Sequence, residues 1–70
     1  MKKSNGRLEE GTIVSYNRSV RNGSVGRVIH SNNQKSMVQF PVPESTGASQ
    51  DWIENERLYI LTKREIEKYY

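Results

Sequence analysis

The chain of 70 residues has no cysteine, a single histidine and only two prolines. Without cysteine, neither a disulfide nor a thiolate metal site can supplement a small core. Because His30 is the only histidine, a catalytic triad or a multi-histidine metal site would have to recruit groups from elsewhere. On a predicted strand, His30 is therefore interpreted as a structural or surface residue.

Long apolar segments are also missing. No run approaches the about 18–20 residues that a membrane-spanning helix requires. The first residues are basic, but no apolar segment follows them, so a secretory signal is not expected. These absences predict a cytoplasmic protein with no membrane partner.

Catalytic motifs are not found in the sequence. Asp51, Glu54 and Glu56 crowd near Trp52, but paired carboxylates work across a substrate cleft, for which a chain this small has little room. They are interpreted as a solvated acidic turn. The glycines match neither phosphate-loop spacing nor a dinucleotide-binding motif. We therefore predict a protein that is not an enzyme and has no cofactor, metal or small-molecule substrate.

The composition allows one small domain. Hydrophobic residues make up 33% of the chain, and Leu, Ile, Val and Phe together contribute 15 of the 70 residues. That share is near the level of about 20% below which disorder is typical. Disorder also requires a high net charge, whereas the net charge here is only +3. A marginal but folded domain is expected.

Five short segments have the β-branched and aromatic content of strands. They are residues 12–16, 25–30, 36–40, 51–53 and 58–61. Asn22 and Gly23 form a turn signal, and Pro41 and Pro43 break the ladder or place it on an edge. Residues 44–50 have loop composition, and residues 54–57 allow one helical turn.

Thr62 and Glu65 match a capping box, which predicts a short C-terminal helix over residues 62–70. Ile66, Tyr69 and Tyr70 follow at helical spacing. The two tyrosines are expected to dock the helix; the alternative is that they offer an apolar patch to a partner.

These elements predict a mainly β protein, namely a five-stranded SH3-like barrel over residues 11–61 with a short C-terminal helix. A closed or nearly closed barrel removes the exposed edges of so small a sheet. Residues 1–10 are expected to be a flexible segment that only Leu8 can anchor. The rings of Phe40 and Trp52 are expected to fill the core. The full set of candidate inward side chains is Val14 and Tyr16 or their alternates, Val28, Val38, Phe40, Trp52, Leu58 and Ile60.

Three parts of the sequence, residues 11–14, 22–29 and 37–40, resemble the KOW-type half of SH3-like barrels. In that pattern a glycine stands two residues before a core valine, here Gly26 and Val28, and a V-x-F strand follows, here Val38 to Phe40. The order of parts is also similar to photosystem I subunit IV and related electron-transport accessory barrels. A glycine inside a strand marks a bulge or a close backbone approach, which agrees with the resemblance.

Charge is distributed unevenly along the chain. Residues 1–40 carry seven basic and two acidic residues, whereas residues 41–70 carry four basic and six acidic ones. Four of the basic residues lie on elements that can share one side of such a barrel, and a tyrosine stands beside them. The candidate partner-binding set is Tyr16, Arg18, Arg21, Arg27 and Lys35. The cations would meet phosphate and Tyr16 would stack on a base; alternatively, the cations only solvate the surface.

Two classes of function follow from these patterns. The resemblance to KOW-type barrels implies contact with nucleic acid or with a nucleoprotein complex of transcription or translation. The resemblance to electron-transport barrels implies docking on a larger protein, and a small regulator or inhibitor of one host protein is a related alternative. A proline-peptide groove like that of true SH3 domains requires an acidic first loop, and the basic loop here argues against it.

Overall fold

A computed structural model of the chain describes residues 1–20, 23–41 and 48–70. Over these residues the chain forms six strands, one 3₁₀ turn and one α-helix. The strands are β1 (Lys2–Lys3), β2 (Ile13–Ser15), β3 (Val25–Ser31), β4 (Lys35–Pro41), β5 (Ala48–Glu54) and β6 (Tyr59–Ile60). The 3₁₀ turn spans Asn55–Arg57, and helix α1 spans Lys63–Tyr69. The predicted mainly β fold with a short C-terminal helix is confirmed.

All six strands belong to one antiparallel sheet in the order β1-β6-β2-β3-β4-β5. Within the described residues, β1 and β5 are the two ends of this sheet and do not pair with each other. The sixth strand arises because Lys2 and Lys3 pair with β6. Such pairing uses backbone groups alone, so the apolar pattern of the sequence did not predict it.

β5 is longer than its sequence predicts. Loop composition extends to Gln50, yet the strand begins at Ala48 and pairs with β4 at every residue, from Pro41 opposite Ala48 to Lys35 opposite Glu54. Strand formation here follows from pairing with β4, because a neighbouring strand overrides weak intrinsic propensity. Pro41 is the last residue of β4, whereas Pro43 lies outside the described residues.

The main core lies on one face of the sheet. Its buried residues are Leu8, Val14, Val28, Val38, Phe40 and Leu58, with Ile53 and Ile60 packed against them. Five of the six buried residues belong to the predicted inward set. Leu8 comes from the N-terminal segment, and its backbone N–H donates to the Ser31 hydroxyl at 2.9 Å. Burial and this hydrogen bond place the segment against the core.

The prediction that Trp52 fills the core is wrong, because 45% of the residue is exposed. The register explains the difference. Ile53 lies opposite Ser36, which is buried, and Trp52 lies opposite Met37. Since successive side chains of a strand point to opposite faces, Ile53 packs on the core and Trp52 lies on the outer face.

A second apolar cluster lies on the opposite face of β2, because Ile13 and Val14 alternate in direction. It contains Ile13, Val25 and Leu61, with Val20 and Ile66 packed against it. Helix α1 is therefore docked by Ile66. The sequence predicts that Tyr69 and Tyr70 dock the helix, but they are 43% and 63% exposed. Their spacing places them on the side of Ile66, but they lie at the last residue of α1 and just beyond it, and of the three only Ile66 packs against the second cluster.

The predicted capping box of α1 is confirmed. The Glu65 backbone N–H donates to the Thr62 hydroxyl at 3.2 Å, and the Thr62 backbone N–H donates to the Glu65 carboxylate at 2.9 Å. The amino group of Met1 lies 3.0 Å from the same carboxylate. The hydrogen bond from the Thr62 backbone, followed by that from the amino terminus, lowers the pKa of Glu65.

Buried polar groups connect the N-terminal segment, the β3–β4 turn and the 3₁₀ turn. The Ser31 and Ser36 hydroxyls lie 2.8 Å apart, and Ser36 donates to Oδ1 of Asn55 at 2.5 Å. The Asn55 amide donates to the carbonyl of Asn32 at 2.8 Å, and its backbone N–H donates to the carbonyl of Gln34 at 2.8 Å. Because buried polar groups are costly when unpaired, this network fixes the 3₁₀ turn against the hairpin.

Gly26 marks a close approach between β3 and β4. A Cβ atom built on Gly26 would lie 2.7 Å from the carbonyl oxygen of Gln39 and 2.7 Å from a methyl carbon of Val38. The ring of Phe40 would lie at 2.8 Å. No side chain fits without displacing backbone, so this position requires glycine for space and not for an unusual φ.

We expect Gly26→Ala to lower the free energy of unfolding by about 1–3 kcal/mol, because one added methyl group overpacks the contact with β4. Chemical denaturation monitored by circular dichroism measures the loss. Gly11→Ala is the control for backbone conformation alone, since Gly11 has φ +93° but open space around its Cβ position. A Gly26→Ala variant as stable as the parent protein would contradict the close approach.

Candidate binding groove

An open groove of about 580 Å³ runs beside β5. Residues 49–54 line it together with Tyr16, Gly23 and Phe40. Six consecutive strand residues line the groove, although their side chains alternate between the two faces of the sheet. The groove therefore follows the edge of β5 and not only one face.

Tyr16 is held beside Phe40 at the rim of the core. The two rings meet edge to face with centroids 5.6 Å apart, and Tyr16 is 49% exposed. The Tyr16 backbone N–H donates to the carbonyl of Ser24 at 3.2 Å. The buried Ser15 hydroxyl donates to the Asn17 carbonyl at 2.8 Å. These bonds fix the backbone on both sides of Tyr16 and leave part of its ring accessible.

The groove carries both signs of charge. Lys35 and Arg57 line it together with Asp51 and Glu54, so the described lining contains two cations and two carboxylates. Lys35 and Glu54 are opposite each other in the β4–β5 pair. The described lining of the groove therefore has equal numbers of both charges and not the excess positive charge that favours phosphate binding.

Trp52 borders the groove from the outer face of the sheet. Met37 is opposite Trp52 on one side and opposite His30 on the other. The His30 and Trp52 rings meet edge to face above this row, with centroids 5.9 Å apart. His30 is an exposed surface residue, and its contact orients the exposed indole.

The structure separates the residues of the predicted basic face. Tyr16 and Lys35 line the groove, whereas Arg18 lines a different cavity of about 520 Å³ with Met1, Lys3 and Tyr59. Arg27 is exposed on β3, between Ile13 of β2 and Gln39 of β4. Arg21 lies outside the described residues.

Three residues of these surfaces escaped the sequence analysis as candidates for binding. Arg57 reaches the groove from the 3₁₀ turn, and Lys3 and Tyr59 meet through the pairing of β1 with β6. Nothing in the local pattern marks Arg57. The start of the chain is polar and has no strand pattern, so the sequence did not predict the strand that carries Lys3.

Among residues 1–20, 23–41 and 48–70, no three His, Cys, Asp or Glu side chains are grouped to hold a metal ion. The helix of that part is too short to cross a membrane. Comparisons of the chain with protein-family models, curated proteins and solved structures found no match.

Trp52→Ala is expected to cost about 1 kcal/mol or less of unfolding free energy, because the exposed ring mainly loses its edge contact with His30. Phe40→Ala, the matched core variant, is expected to cost about 3–5 kcal/mol. Chemical denaturation measures both losses, and iodide should quench the fluorescence of Trp52 efficiently. Equal losses in the two variants, with an indole shielded from iodide, would place Trp52 in the core.

Proposed function

We propose that this chain is a non-enzymatic module that docks on a partner protein, and that a segment of the partner occupies the groove beside β5. The observation that carries this proposal is that two exposed rings, Tyr16 and Trp52, line the same groove. Tyrosine and tryptophan are enriched among the residues that dominate protein interfaces, because each buries a large rigid surface.

The charges of the groove favour a polypeptide over a polynucleotide. Asp51 and Glu54 would repel phosphate groups, whereas a protein segment carries side chains of both signs and backbone dipoles. Lys35 and Arg57 can then pair with acidic groups of the partner, and the two carboxylates can pair with basic ones. Complementary charges of this kind set the register and specificity of an interface.

The proposal also includes a specific fold for the sheet. We propose that β2 to β6 form an SH3-like barrel that stays open between β5 and the segment after β2. The single 3₁₀ turn before the last strand and the glycine two residues before the core residue Val28 support this description. The resemblance to electron-transport accessory barrels implies docking on a larger protein, which agrees with the proposed function.

Affinity capture from a cytoplasmic extract tests the proposal. The immobilised chain is expected to retain a partner protein after nuclease treatment, and Tyr16→Ala or Trp52→Ala should each reduce retention about tenfold or more, as for hot-spot residues. Tyr69→Ala is the matched control, since Tyr69 is similarly exposed but lies on α1. Retention that is lost with nuclease, or that Tyr69→Ala reduces equally, would contradict docking through the groove.

One observation favours nucleic acid as a second candidate partner. Lys3 and Arg18 line the same open cavity as the half-buried Tyr59. Two cations beside an aromatic ring are suited to a phosphate and a stacked base of a single strand. The set Lys3, Arg18 and Tyr59 replaces the basic face that the sequence predicted. Only Arg18 belongs to both.

The salt dependence of binding to a fluorescent single-stranded oligonucleotide tests this candidate. Removing Lys3 and Arg18 together by alanine substitution should weaken binding and lower the slope of log affinity against log salt by about 1 for each lost phosphate contact. Lys63→Ala, which removes one exposed charge from α1, should change the slope less. If both variants show the parent slope, the cavity is not a phosphate site.

A further inference from the structure

We propose that the free edge of β5 binds the partner as an added strand, so that an extended segment of the partner protein pairs with the backbone of β5. This inference rests on the proposed docking function and names the form that the bound segment takes. Strand addition supplies affinity through main-chain hydrogen bonds and specificity through alternate side chains.

β5 has the length and position that strand addition requires. It is one of the longest strands, with seven residues, and within the described part of the chain it pairs only with β4. Among the described residues no strand pairs with its other side, so its backbone groups there can accept a further strand. The groove follows this side along residues 49–54, which leaves space for a neighbouring strand at the usual spacing of about 4.8 Å.

The composition of β5 protects its edge with a single inward-facing charge. Proteins block exposed edges with proline, lysine, bulges or inward-pointing charges. β5 contains neither proline nor lysine, and its register with β4 is continuous over all seven residues. Asp51 is the one charged residue that shares a face with the core residue Ile53, so it is the feature that selects what can pair here.

Asp51 argues against a second copy of this chain as the occupant. It is the central residue of β5, so an antiparallel pair of two β5 strands in full register would place Asp51 opposite itself. Like charges directly opposite each other destabilise strand pairing. A partner segment with a basic residue at that position would instead gain a cross-strand ion pair.

The alternation of β5 defines the chemistry of the partner segment further. Ser49, Asp51 and Ile53 share the core face of the sheet, since they lie opposite the buried residues Phe40, Val38 and Ser36 of β4. An added strand would therefore place a basic side chain opposite Asp51 and an apolar side chain opposite Ile53, two residues away. The apolar side chain would pack on Ile53, at the end of β5 that lies opposite Ser36. The exposed ring of Trp52 would contact the residue between the two from the outer face.

A designed heptapeptide tests this inference. The probe is acetylated Thr-Val-Thr-Lys-Thr-Val-Thr amide, whose symmetric pattern presents lysine to Asp51 in either strand direction. We expect the peptide to shift backbone amide resonances of β5 in an NMR titration. The same peptide with glutamate at its centre should bind about tenfold more weakly. Asp51→Lys should reverse the preference between the two peptides, and its amide spectrum reports whether the variant remains folded.

Backbone methylation separates strand pairing from simple contact. Only every second residue of an added strand donates its N–H to β5. Peptides methylated on the backbone nitrogens of their odd or even positions should therefore differ, with one pattern abolishing binding and the other retaining it. Equal behaviour of the two methylated peptides, or no binding of the parent peptide, would overturn strand addition.

The outcomes distinguish this inference from the proposed function. If the extract experiment shows nuclease-resistant capture that depends on Tyr16 and Trp52, but the heptapeptide does not bind, docking stands and strand addition falls. If capture itself does not depend on the groove, the proposed function falls whatever the peptide does. Concentration-dependent dimers that Asp51→Ala strengthens would identify a second copy as the occupant and would also overturn the inference.

Discussion

The close contact of β3 with β4 at Gly26 is the constraint on which the rest of this small structure depends. Because Gly26 has no side chain, Val38 and Phe40 can approach β3 and complete a core of a few residues. The same contact holds Phe40 where the ring of Tyr16 meets it edge to face. The core and the contact of Phe40 with Tyr16 beside the groove therefore both depend on the absence of a side chain at Gly26.

Buried hydroxyl and amide groups hold the turns and loops that the small apolar core alone does not fix. Ser36 and Asn55 tie the 3₁₀ turn to the β3–β4 hairpin, which places Arg57 beside the groove. Ser15 holds the backbone after β2 in a similar way. A domain of this size buries a small fraction of its surface. Hydrogen bonds between buried polar groups therefore determine much of the conformation of its loops.

The sheet is open where the groove lies, and the proposed function uses this opening. In the described residues, β5 pairs with no strand on its other side, and Tyr16 lines the groove beside it. An open edge is a hazard for a β protein, because it can pair with other chains. Asp51, on the core face of β5, limits pairing between identical copies and leaves pairing with a basic partner segment favourable. The charge that protects the protein also defines the proposed specificity.

The sequence by itself determined the mainly β class, the approximate positions of five strands, the need for glycine at position 26 and the capped helix that follows Thr62. Each depends on short-range chemistry that a few neighbouring residues specify. Only the tertiary structure decided the rest. Trp52 and Ile53 are adjacent and both apolar, so only pairing with β4 settles which of them faces the core. The sequence also grouped Arg18 with Lys35, but the order of the strands separates them, because proximity on a surface depends on the path of the whole chain.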